Sequence, residues 1–224
     1  MKNLSRWVII GTLLAGSHAS AATEIPGPAQ GNPLVIVPAQ VPAKCARRVN
    51  HPQVLFDVCR DQLKLLEEAK ALARASGKSV LVSFGADWCI WCHVFEAHIL
   101  GQYGSFTYTT PEGTWTMQEK DTAKGNEAQA AAFKTFVASK FVVVNIAQEA
   151  GSSAEAVLKA TGVDKQYSGS LPLIYVLDQN GRATGTLESP GVEVRRDTDD
   201  WYRGYDRAKL LNVLQSLVTP RSSK

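Results

Sequence analysis

Cys89 and Cys92 stand with two residues between them, and that spacing suits thiol chemistry. A cysteine at the first position of a helix meets unpaired backbone N–H groups and the positive end of the helix dipole. Both favour thiolate over thiol. Its pKa can fall from about 8.5 into the range of roughly 3.5–7.5. A cysteine one turn further on lies beneath the first, within disulfide reach. Cys89 is therefore expected to be the attacking thiol and Cys92 the resolving one in thiol–disulfide exchange. The other two cysteines, Cys45 and Cys59, have thirteen residues between them. In an oxidising compartment they are expected to form a structural disulfide. A loop of that size contributes about 3 kcal/mol in the chain-entropy model. The alternative is a second redox pair that exchanges electrons with Cys89 and Cys92.

The same residues overlap another signature. Cys89-Ile90-Trp91-Cys92-His93 has the CxxCH form that attaches c-type haem. Met117, His51 or His98 would then be the sixth ligand. The plainer expectation places His93 and His98 as polar residues on the outer side of a helix. A metal site on Cys89, Cys92 and His93 lacks a fourth well-spaced donor, so no metal and no cofactor is assigned.

The elements that must position the pair can be read on either side of it. Ser79 to Phe84 is a continuous β-rich run, as in a strand buried on both faces. It delivers the chain to Cys89, where a helix runs to Leu100 with Val94, Phe95 and Ile99 facing inward. Upstream, 57–75 is helical, with Leu63, Leu66, Ala69, Leu72 and Ala73 on one face. Gly77 is placed to end that helix. Downstream the reading gives a helix over 127–139, a buried strand over 141–146 and a short helix over 152–160. A hairpin follows, of 173–177 with 183–187, then a terminal amphipathic helix over 206–217. Strands alternating with helices, then a hairpin, argue an α/β fold with a central mixed sheet flanked by helices. Residues 101–126 form an insertion after the cysteine helix. Alternation of Tyr103, Phe106 and Tyr108, then of Trp115 and Met117, predicts a β-hairpin. It could line a partner groove or cover a sheet edge.

Around this domain lie two further segments. Lys2 and Arg6 precede the apolar run Trp7–Ala15, and Ala19-Ser20-Ala21 offers a small-x-small cleavage site. Residues 1–21 thus read as a secretory signal peptide, with an uncleaved anchor as the alternative. Residues 22–43 carry five of the ten prolines and read as a linker, in which Leu34–Val37 could dock as an edge strand. The folded domain is then 44–224. Hydrophobic residues make up 45% and charged residues 20% of the 224, which excludes a disordered chain and a multi-span membrane protein. The formal charge of +3 falls to +1 once Lys2 and Arg6 are removed, which gives no argument for nucleic acid. The expected location is the periplasm, with no stable membrane insertion once the signal is cleaved.

The run from Lys78 to Cys92 resembles the active-site segment of the thioredoxin-like family. It is most similar to the subgroup that contains the C-terminal periplasmic domain of DsbD. Gly169 to Gly181 resembles the family's second landmark, a strand opened by a cis-proline opposite the cysteines. The resemblance spans roughly 57–218. It implies that Pro172 is cis and that Leu171 pairs with an extended substrate chain, beside a platform from Trp88 and Trp91. Packing against the domain edge is the other role open to Trp91. One departure concerns proton transfer: the family's buried strand Asp is Ser83 here, leaving Asp87 and Glu96 as substitutes. The implied activity is protein thiol–disulfide exchange. Without a His between the cysteines, reductase or isomerase is expected rather than oxidase. The partners would be disulfide-containing periplasmic proteins and an electron-donating redox protein, since no nicotinamide or flavin motif is present. A non-catalytic binding module is the alternative from another class.

Overall fold

The computed structural model describes residues 32–37, 55–110, 113–118, 126–187, 191–197 and 201–218. The expected signal segment, most of the expected linker, His51 and Cys45 lie outside the described residues.

A mixed five-stranded sheet organises the domain. Its strands are β1 (Val35–Val37), β2 (Ser79–Gly85), β5 (Phe141–Ala147), β6 (Leu173–Leu177) and β7 (Ala183–Thr186), in the order β1-β5-β2-β6-β7. β1, β5 and β2 run parallel, whereas β6 and β7 are antiparallel additions. The helices are α1 (Gln62–Ser76), α2 (Ile90–Ile99), α3 (Asn126–Lys140), α4 (Ser152–Thr161) and α5 (Arg207–Val218). α1 and α4 cover one face of the sheet, packing on Val80, Val82 and Phe84. α2, α3 and α5 cover the other, packing on Leu81, Val143 and Ile174. With both faces covered, β2 and β5 need apolar residues at almost every position, which is why they read as unbroken runs.

α1 starts at Gln62, five residues later in the chain than 57, because Asp61 caps it. Its carboxyl accepts the N–H groups of Leu63 at 2.9 Å and Lys64 at 3.3 Å. Gly77 ends it at φ 66°, a left-handed cap. The buried stripe is Leu65, Leu66, Ala69 and Ala73. Leu63 and Leu72 fall on its flanks, and Leu72 is 42% exposed, against the expected inward face.

Two small sheets lie outside the main one. β3 (Ser105–Thr110) and β4 (Gly113–Gln118) are the antiparallel strands expected in the insertion. β8 (Glu193–Arg196) and β9 (Tyr202–Tyr205) form a second antiparallel pair that the sequence reading missed. The two pairs meet where Trp115 packs on Trp201, ring centres 5.6 Å apart, with the Arg203 guanidinium 4.7 Å from the Trp201 ring centre. Tyr202 and Tyr205 are buried against α2 and join the core on that face.

Candidate active site

β2 stops at Gly85, and the turn Ala86-Asp87-Trp88 carries the chain into α2. Cys89 is the residue that caps that helix, in extended conformation. Its Sγ accepts the N–H of Cys92 at 3.2 Å, so the sulfur takes the place of a capping oxygen. Cys92 lies one turn on and is disulfide-bonded to Cys89, with 5.3 Å between the Cα atoms. The sulfurs are secluded: Cys89 is 4% exposed and Cys92 1%. Phe56, Ala86 and Ala147 enclose them, with Leu171 and Trp91 packed against the group. The Leu171–Pro172 peptide bond is cis. Leu171 is half-buried beside the cysteines and Pro172 is buried. The cysteine pair and the cis-proline therefore meet in space, from segments about eighty positions apart.

The two tryptophans differ. Trp88 is 44% exposed next to Cys89. Trp91 is half-buried, its ring 5.4 Å from that of Tyr205. Two expectations about histidine are corrected. His93 is buried; its Nε2 lies 2.7 Å from the Asp87 carbonyl and its ring stacks on Tyr108 at 5.2 Å. Burial pushes its pKa below the ordinary value, opposed by the hydrogen bond to Asp87 and by the Asp87 charge. His98 is fully buried, with Nδ1 2.9 Å from the Val94 carbonyl and Nε2 against the backbone of Tyr205. The reason is the same for both. The insertion and the β8–β9 pair cover the outer side of α2, which would otherwise face water. This also bears on haem. His93 Nε2 is already engaged inside the protein, so the residues present do not fit an iron ligand at that position. Among the described residues, no group of three or more His, Cys, Asp or Glu is placed to hold a metal ion.

Ser83, at the position of the family's buried Asp, is buried and lies opposite Asn145 in β5. Glu96, one turn beyond Cys92 on α2, approaches the same place. Burial raises its carboxyl to about 7, opposed by a hydrogen bond with the Asn145 side chain. Asp87 has other duties: its Oδ1 accepts the N–H groups of Leu55 at 2.9 Å and Phe56 at 3.1 Å. Cys59 is disulfide-bonded. Its expected partner, Cys45, lies outside the described residues. Missing from the sequence reading were Phe56 and Asn145, an aromatic and an amide with no motif around them.

Chemically, a sulfur at a helix N-terminus, a second sulfur within bonding reach and a nearby carboxyl that titrates near neutrality can carry out thiol–disulfide exchange. A thioredoxin-like family model matches residues 61–102, which hold α1, β2, the cysteine turn and α2. No curated protein matches the chain. Among solved structures, a disulphide isomerase from Xylella fastidiosa Temecula1 is similar at 18% identity, covering 61% of this chain and 80% of its own, with a TM-score of 0.37. Among the described residues, no helix is long and apolar enough to cross a membrane. The chain thus holds a thioredoxin-like segment over residues 61–102, set in a mixed sheet with a cis-proline against its cysteines.

Proposed function

We propose that the chain is an exported thiol–disulfide oxidoreductase that reduces or isomerises disulfides of periplasmic proteins. The observation that carries this reading is Cys89 at the N-cap of α2, its sulfur receiving a helix N–H and bonded to Cys92. In the reduced protein the Cys89 thiolate attacks one sulfur of a substrate disulfide. The Cys89–substrate bond forms, the substrate bond breaks, and the other substrate sulfur leaves as thiolate. Cys92 then loses its proton and attacks the Cys89 sulfur. The Cys89–Cys92 bond forms and the second substrate sulfur departs with the electron pair. Two electrons have passed to the substrate, so a dithiol partner protein must return them. Trp88, exposed at the turn, and Leu171 beside cis-Pro172 are the surfaces offered to the substrate chain. Glu96 is the group proposed to take the Cys92 proton, since a carboxyl with a pKa of about 7 accepts and releases protons near neutrality.

The test is insulin reduction by the purified protein with a Cys89→Ala control. Cys89-dependent turnover supports the reading. Turnover that survives the substitution removes it. A potential for the pair near −270 mV marks a reductase, and one near −120 mV an oxidase. Export is checked by the N-terminus of the protein recovered from a periplasmic fraction, expected to begin after Ala21. One observation favours a second reading, a non-catalytic binding module: both sulfurs are more than nine-tenths buried. Such a module would bind a partner without Cys89-dependent turnover.

A further inference from the structure

We propose that Asp87 is a positioning residue that holds Leu55–Cys59 as a fixed cover over the resolving sulfur, so that Cys92 reacts with Cys89 and with no outside thiol or disulfide. The catalytic consequence rests on the exchange reaction proposed above; the cover itself rests on geometry alone.

The cover is Phe56, 1% exposed and packed with both cysteines. A single point above the Cα of Gly85 lies 2.6 Å from Cys92 Sγ and 2.7 Å from Phe56 Cζ, so sulfur and ring crowd the same small space. Phe56 sits on neither a helix nor a strand, so no regular ladder of its own fixes it. Its segment is tied down by side chains of the cysteine turn, of β5 and of α1. Asp87 Oδ1 receives two successive N–H groups, from Leu55 and Phe56. The Leu55 carbonyl accepts Asn145 Nδ2 at 3.3 Å. The Asp57 carbonyl accepts Gln62 Nε2 at 2.7 Å, and Gln62 Oε1 in turn accepts the N–H of Ala147 at 2.8 Å. The disulfide at Cys59 closes the far end.

Asp87 is distinctive among these holders because it also belongs to the reacting turn. It stands two positions before Cys89, and its carbonyl faces His93 Nε2, next to Cys92. One residue thus joins the turn that carries the attacking sulfur, the helix that carries the resolving sulfur, and the cover between that sulfur and water. When the pair is reduced, a covered Cys92 has one sulfur within reach, that of Cys89. A mixed disulfide therefore forms at Cys89, and Cys92 closes on it from within. The Cys89–Cys92 bond replaces the Cys89–substrate bond, and the substrate leaves as thiolate.

The experiment measures alkylation of Cys92 by iodoacetamide in a Cys89→Ser protein, where Cys92 is a thiol without any reduction of the disulfide at Cys59. Adding Asp87→Ala removes the acceptor of two N–H groups and is expected to raise the Cys92 rate by about 10- to 100-fold through local opening. Adding Asp87→Asn keeps an oxygen acceptor and is expected to restore a rate near that of the parent. Cys89, read in a Cys92→Ser protein, should change by less than about twofold with Asp87→Ala. Phe56→Ala offers the same reading with the clamp intact, and it decides the matter where Asp87→Ala does not fold. An unchanged Cys92 rate in the variants that fold overturns the proposal, as does an equal rise at both cysteines. Because alkylation needs no turnover, absence of insulin reduction by the unsubstituted protein, with Cys92 protection intact in the Cys89→Ser protein, would reject the enzyme reading and leave the cover standing.

Discussion

Gly85→Ala is a small change with a calculable result. Gly85 has an ordinary backbone, so only space opposes a side chain there. A Cβ would stand 2.6 Å from Cys92 Sγ, 2.7 Å from Phe56 Cζ and 3.2 Å from Phe56 Cε1. Favourable contacts between such atoms lie at about 3.5–4.0 Å, so the methyl intrudes by about an ångström on two sides. Neither neighbour can step away. Cys92 Sγ is bonded to Cys89, and the Phe56 backbone is pinned on Asp87. Overpacking a well-filled core costs about 1–3 kcal/mol, and a clash with two neighbours at once belongs in the upper half of that range. A loss of about 2 kcal/mol lowers the Tm of a domain of this size by roughly 4–8 °C. The assay is urea unfolding of the oxidised protein beside wild type at one pH. Phe56→Leu frees part of the space, so the double variant should lose less than the two single losses together, by about 0.5 kcal/mol or more. A Gly85→Ala protein within about 0.5 kcal/mol of wild type would refute the crowding described at Cys92.

Glu96→Gln should change the pH dependence of stability. The folded carboxyl titrates at about 7 against an ordinary 4.5, so its favourable contribution is full below 4.5 and is lost as pH rises through 7. Relative to Glu96→Gln, wild type should therefore weaken across that window, and a flat difference curve from pH 4 to pH 8 would contradict the burial of Glu96. Asp61→Ala removes the cap of α1 and should cost about 1 kcal/mol in chemical denaturation, with Asp61→Ser recovering most of it. His98→Leu leaves the Tyr205 N–H without its ring partner in a buried site. The expected loss is about 1–3 kcal/mol, and a neutral substitution would show that the contact carries no weight. Trp115→Ala strips one ring from the pair with Trp201. If this surface receives partners, reduction of a protein substrate should slow while the potential of Cys89 and Cys92 stays fixed; an unaltered rate assigns the ring to packing alone.

The main sheet and its helices were legible because both faces of the sheet are covered, which leaves β2 and β5 as unbroken apolar runs. The cysteine turn was legible because strand, turn and helix are contiguous there. The environment of the helix was not. His93 and His98 look like surface residues on α2 alone. They are buried by Tyr108 and Tyr205, and Tyr205 lies 107 positions from His98. β8 and β9 escaped notice because each has four residues and the first is Glu-Val-Arg-Arg, a charged stretch with no apolar alternation. Arg195 pairs with Asp197 and Arg196 lies over the Tyr202 ring, contacts that local pattern does not announce. Phe56 was invisible as a site residue for a similar reason. What places it is a carboxyl 31 positions away.

The short strand Val35–Val37 has a consequence for how the molecule keeps to itself. It pairs in parallel with Val142, Val143 and Val144 of β5, and its neighbours Leu34 and Ile36 reach one face while Val35 and Val37 reach the other. Those three residues are a guard rail. Without them the row of N–H and C=O groups along β5 would be an open template, set in a strand buried at all seven of its positions. Pro33 and Pro38 bracket the guard, and proline cannot continue a hydrogen-bonded ladder. The segment thus seals one margin of the sheet with three residues, a short edge that offers little for another strand to pair with. A protein trimmed to begin at residue 44 would keep its cysteines and its helices but lose this seal, and self-association through β5 would become its characteristic failure.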